Sequence, residues 1–131
     1  ENINTVEYVV PQVLPLKENG VMDLIDGEYE ITPELTTYAT PGHTPGHTSI
    51  RVTSKGEHAF ILGDVAHSPI QAHYTDWCPE FDITPDMARS TRHAVIDMLE
   101  AEGTLVSAGH FPDPGFGRFA RGEERRFWQG L

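Results

Sequence analysis

From Thr84 to Gly103 the chain supplies the start, the body and the stop of one helix, and the run between Pro85 and Gly103 is the longest without proline or glycine. Thr84 stands at the N-cap, Pro85 in the first turn and Asp86 beside the positive end of the helix dipole. Met87, Thr91, Ala94, Val95, Met98 and Leu99 recur at helical spacing, and Gly103 sits where a left-handed C′ residue belongs. That stripe reads as a core-facing side rather than a cofactor surface.

Short strand signals surround it. Leu35–Ala39 reads as a strand, Ser49–Thr53 alternates with Ile50 and Val52 on one face, and Ser54 to Glu57 makes a turn. Ala59–Leu62 is continuously apolar, as a strand covered on both faces would be. Leu105–Ala108 follows the helix. Nearer the start, Val21–Ile25 and Tyr29–Ile31 read as strands joined at Asp26-Gly27. Asn4–Leu16 has helical spacing (Val6, Val9, Val10, Val13, Leu14), shortened by Pro11 and Pro15. Residues 65–84 are loop-like and rich in aromatics. Strands, one long helix and a further strand define a layered α/β fold, with residues 1–131 in a single domain.

Charge and cysteine content remove several functional classes. Twenty acidic and nine basic side chains give a net charge of −11, a field that repels phosphate backbones and anionic membrane surfaces. No run of 18 apolar residues suggests a membrane span. Cys78 is the sole cysteine, so an intrachain disulfide and a Cys-rich zinc module are excluded. Its neighbours Asp76, Glu80 and Asp82 disfavour a thiolate nucleophile. Arg118, Arg121, Arg125 and Arg126 interleave with Glu123 and Glu124, which reads as a solvated, salt-bridged face. No targeting segment is seen, which makes a cytoplasmic location the default expectation.

The chemistry concentrates where strands run out into loops. His43 and His47 follow Leu35–Ala39, Asp64 follows Ala59–Leu62, and His110 follows Leu105–Ala108. If those strands end on one edge of a sheet, the four residues converge. Imidazole and carboxylate together suit Zn²⁺ or a related first-row metal. Pro45 and Gly46 prevent His43 and His47 from sharing a helix face, so the segment is a tight loop from which one of the two reaches a metal.

Thr40-Pro41-Gly42-His43-Thr44-Pro45-Gly46-His47-Thr48, then Leu62-Gly63-Asp64-Val65-Ala66-His67, then Ala108-Gly109-His110-Phe111-Pro112 resemble the metallo-β-lactamase superfamily of hydrolases. The branch with methyl parathion hydrolase and the N-acyl-homoserine lactonases is the nearest in motif. The resemblance runs from about Leu16 to Trp128 and covers the carboxy-terminal half of that family's domain. It implies an α/β fold forming the second half of an αββα sandwich, a mixed sheet with flanking helices.

By that resemblance His47 is a ligand of a first metal, Asp64 bridges two metals and takes the catalytic role, and His110 is a ligand of the second. His43 and His67 are implied to stand behind the ligands. The family's cofactor is a pair of Zn²⁺ ions that activate water against a lactone, carboxylic ester or organophosphate triester, a neutral small molecule compatible with the acidic field. The family's His-x-His-x-Asp-His motif is absent from these 131 residues. This chain alone is therefore expected to bind metal weakly or partially and to be inactive. It is also expected to pair with a second copy or a complementing chain over a sheet face containing Ile50, Val52 or Phe60. Tyr74, Trp77, Phe81, Phe111 and Phe116 either line a substrate pocket or pack among themselves.

Overall fold

A computed structural model describes residues 11–131. One mixed seven-stranded sheet holds the strands in sequence order: β1 (Glu30–Thr32), β2 (Leu35–Ala39), β3 (Thr48–Ser54), β4 (Glu57–Ile61), β5 (Leu105–Ser107), β6 (Phe116–Arg121) and β7 (Arg126–Gly130). Every neighbouring pair is antiparallel except β4 and β5. That parallel pair requires a crossover, and the long helix Pro85–Glu102 supplies it.

Register assigns the two faces. Thr36, Arg51, Phe60, Val106 and Gly117 pair across the sheet and face the helix, while Thr37, Ile50, Ile61, Ser107 and Phe116 make the adjacent row and face away from it. Phe60, Val106 and Phe119 pack with Val95, Ile96 and Leu99 in one buried cluster. Packing on one side makes β4 alternate rather than bury both faces: Phe60 is 1% exposed and Ile61 43%. Phe60 therefore lies opposite Ile50 and Val52, not beside them as the sequence suggested. Phe116 and Phe127, on the outer face with Ile61, are also exposed.

The helix begins and ends where its sequence indicates. Gly103 has φ 64° and its N–H bonds the Glu100 carbonyl, while the Thr104 N–H reaches Leu99. The Thr84 hydroxyl makes no cap; instead its N–H donates to the Gly42 carbonyl at 3.0 Å, tying the helix start to the histidine loop.

Three further expectations change. Val21–Ile25 forms no strand, and Val21 and Leu24 are strongly exposed because no neighbouring strand takes up their backbone groups. The amino-terminal helix expectation falls partly on residues 4–10, outside the described part; beyond them a short helix, Leu14–Glu18, buries no residue. The arginine-rich segment pairs not with Glu123 and Glu124 but with the helix. Arg121 and Arg126 both grip Glu100, Arg126 also binds Asp97, and Arg126 is buried rather than solvated.

Candidate metal centre

β2 and β4 run the same way, since each is antiparallel to β3, and β5 is parallel to β4. Their exits therefore share one sheet edge, which brings Thr40–His47, Gly63–His67 and Gly109–His110 together. Asp64 sits in a 3-10 turn, Gly63–Val65, directly after β4.

Three imidazoles turn toward its carboxylate. His110 Nε2 is 2.8 Å from Asp64 Oδ1, His67 Nε2 is 3.8 Å from the same oxygen, and His43 Nε2 is 3.9 Å from Oδ2. The His67 ring lies 5.0 Å from that of His43 and 4.9 Å from that of His110. Asp64, His67 and His110 each offer a ligand atom within 4.8 Å of the others, the one such group of three among the described residues. His67 Nδ1 is buried without a hydrogen-bond partner.

His47 stands behind this cluster. Its Nε2 accepts the Asp64 backbone N–H at 2.8 Å, and its Nδ1 lies 2.8 Å from Thr40 Oγ1 and 3.1 Å from the Thr40 carbonyl. Both ring nitrogens are thus engaged by the protein, whereas sequence had this histidine facing the metal. His43, given the supporting role by sequence, presents a free Nε2 to Asp64 and anchors Nδ1 on Asp82 Oδ1 at 3.0 Å.

Two glycines make this arrangement possible. A Cβ on Gly42 (φ 141°) would collide with the backbone of Ala88 in the helix, and one on Gly63 (φ 58°) would stand 2.6 Å from His47 Nε2. Gln71 shapes the next loop: its carbonyl accepts from the N–H groups of His67 and Ser68, and its amide donates to the Trp77 carbonyl.

The electrostatics favour a charged Asp64 carboxylate and a neutral His67 imidazole. Burial pushes the Asp64 carboxyl up, but the His110 hydrogen bond and the charges of His43, His67 and His47 together outweigh it and hold it below the usual carboxylate value. Burial and the neighbouring His43 push the His67 imidazole down, so that it stays neutral at higher acidity than an ordinary histidine. Neutral imidazole and ionised carboxylate are the forms that ligate a first-row ion, so the donor set fits zinc.

The aromatics divide between the two roles sequence left open. Phe81 lies edge-on to both His43 and His67 (5.8 and 4.9 Å), forming a wall of the cluster. Phe111 packs on Trp128 and Phe119 in the core, and Tyr74 stacks on Trp77 at 4.4 Å. A shallow cavity of about 220 Å³ adjoins His67, walled by Ile70, Trp77, Cys78 and Pro79. Cys78, without a basic neighbour in sequence, meets Arg92 in space, Nη1 to Sγ 3.5 Å. A larger cavity lies among Asp97, Glu100, Arg121 and Arg126, which are already paired with one another.

A mixed sheet backed by a helix, with histidines and an aspartate gathered at the strand exits, defines an α/β domain with a candidate metal site. The chain belongs to the metallo-beta-lactamase superfamily, which it matches over residues 12–119. Among solved structures it is similar to the hydrolase AbOPH of the beta-lactamase superfamily, with 28% identity and a TM-score of 0.83, covering 97% of this chain and 44% of that one. AidC, a dizinc quorum-quenching lactonase in complex with its product, is 21% identical with a TM-score of 0.83, covering 99% of this chain and 45% of AidC. A probable metal-dependent hydrolase from Staphylococcus aureus is 15% identical with a TM-score of 0.74, covering 95% and 49%. The chain thus spans less than half the length of these structures. No curated protein matches the sequence.

Proposed function

We propose that this chain carries part of the metal centre of a hydrolase acting on a lactone, carboxylic ester or organophosphate triester. The observation that carries the reading is the convergence of three imidazole Nε2 atoms on the Asp64 carboxylate. In this reading His47, Asp64 and His110 are the metal ligands, and His43 and His67 stand behind them. The pair of zinc ions in the dizinc relative AidC suggests a second ion here too, whose further ligands would come from outside the described residues. Bound zinc would lower the pKa of the water it holds and polarise the oxygen of the bond under attack.

The chain's own residues account for the rest. Asp64 keeps its carboxylate ionised and is placed to receive a proton and pass it toward a leaving group. Phe81 and the shelf beside His67 offer apolar contact to an uncharged substrate. The net charge of −11 favours such a neutral molecule over an anion.

A second reading is a structural half that needs a complementing chain before any chemistry occurs. The open sheet face carrying Ile61, Phe116 and Phe127 favours it. Zinc titration by calorimetry, followed by hydrolysis assays on lactone, p-nitrophenyl ester and phosphotriester substrates, separates the two. Zinc binding lost in His110→Ala supports the hydrolase, and hydrolysis in the same preparation would strengthen it. Zinc binding unchanged in His110→Ala, with no turnover of any substrate, supports the structural half, and no zinc binding removes the metal centre.

A further inference from the structure

Thr40, just after β2, and Ser49, in β3, are polar residues each left only 1% exposed. Their hydroxyls form a chain. Ser49 Oγ lies 2.9 Å from the Leu62 carbonyl and 2.9 Å from Thr40 Oγ1, and Thr40 Oγ1 lies 2.8 Å from Nδ1 of His47. Leu62 stands two residues before Asp64, whose N–H reaches the other nitrogen of the same ring.

Each hydroxyl has a single hydrogen to donate, and that settles every direction in the chain. A carbonyl only accepts, so Ser49 donates to Leu62. Ser49 must then accept from Thr40, and Thr40, its hydrogen committed, must accept from His47. Nδ1 of His47 therefore carries the hydrogen. Two further contacts agree: the Thr40 carbonyl, also an acceptor only, lies 3.1 Å from Nδ1, and the Asp64 N–H at Nε2 requires a lone pair there. The Thr40 N–H donates to the His47 carbonyl at 3.0 Å, which closes the loop that bears the ring. All donors point the same way round the circuit, so each bond polarises the next.

We propose that Thr40 and Ser49 are positioning residues that hold His47 as the Nδ1–H tautomer, so that Nε2 is the one atom it can offer to a metal. The inference rests on the reading above in which His47 is a ligand. In the metal-free chain the same lone pair serves the Asp64 N–H, and a metal competes with that amide for it. Partners that orient a ligating histidine in this way are worth about 10–100-fold in metal affinity.

The test uses the whole chain, with zinc as the probe. Long-range ¹H–¹⁵N spectra at pH 8 should show His47 as the Nδ1–H tautomer. Ser49→Ala removes the acceptor of the Thr40 hydrogen and frees that hydroxyl to donate to Nδ1, which brings in the Nε2–H form. Thr40→Val removes the hydroxyl at nearly constant shape. Both variants should bind zinc at least about tenfold more weakly by calorimetry, whereas Thr40→Ser, which keeps the hydroxyl, should match the unmodified chain in tautomer and affinity. A cooperative melt shows that a variant folds, and the tautomer of the unmodified chain decides the matter even where one does not. An Nε2–H His47 in the unmodified chain, or tautomer and zinc affinity both unchanged in folded Ser49→Ala, would overturn the proposal. A chain that binds no zinc, yet whose Nδ1–H form gives way in Ser49→Ala, would remove the metal-centre reading and support the hydroxyl chain as what orients His47.

Discussion

The backbone N–H of Asp64 donates to Nε2 of His47 at 2.8 Å, so a histidine on the loop between β2 and β3 holds the turn that follows β4. His47→Ala leaves that amide without a partner and frees the turn. It should destabilise the fold by about 1 kcal/mol in urea melts, the lower end of the cost of an unpaired donor, since this amide is only part-buried. A melt indistinguishable from that of the unmodified chain would mean that the contact contributes nothing.

Gly63 lies against the same ring at φ 58°, and an added Cβ would stand 2.6 Å from His47 Nε2. Gly63→Ala should therefore cost about 1–2 kcal/mol for the left-handed backbone alone, with more from displacement of the ring. Thermal melts read the loss. The exposed Gly27, also at positive φ but with open space around it, is the control for backbone strain without the collision.

Metal titration should find one zinc ion per chain, since the described residues bring together one group of three candidate ligands. Affinity should be modest and should fall at least about tenfold in His67→Ala. Two tightly held ions per chain would contradict this ligand count.

His67 should titrate below 6.5 in the metal-free protein, because burial and the charge of His43 disfavour its protonated form. Its folded value is lower than its unfolded one. As pH falls below 6.5 the unfolded chain takes up the proton first, and stability declines until the folded-state value is passed. Asp64 raises the folded value while His43 and His110 lower it, and Asp82 opposes them weakly. An NMR midpoint for His67 at or above 6.5 would refute the prediction.

The outer sheet face should drive association. Ile61 is 43% exposed, Phe116 45% and Phe127 42%, and register places all three on the side away from the helix. Sedimentation should show concentration-dependent self-association, and Ile61→Lys with Phe127→Lys should abolish it. A monomer at every concentration would show that this face needs no cover.

Much of this was legible in sequence, for local reasons. The long helix carries its own start, period and stop, and β2 and β3 carry alternation bounded by turns, so their limits emerged within a residue or so. Asp64, His110, His43 and His47 could be gathered because each follows a strand end, and His67 because it shares the loop of Asp64. The hydrogen-bond partners of His43 and His47 were not legible. They are Asp82, far along the chain, and a backbone amide that has no side-chain signature. Arg92 was hidden for the same reason: an arginine on a helix reads as solvated until the carbonyls of Val65, Thr75 and Trp77 are seen around it. Val21–Ile25 failed in the opposite sense, since strand-like residues form a strand only where a neighbour pairs with them.

The parallel joint between β4 and β5 determines when the centre can exist during folding. Every other strand pair closes through a short connection, but this one waits for the helix to dock and return the chain, a loop closure spanning residues 62–104. Asp64 lies on one side of that closure and His110 on the other. Their approach therefore marks completion of the crossover, and metal uptake followed in time would act as a clock for the last long-range step of folding.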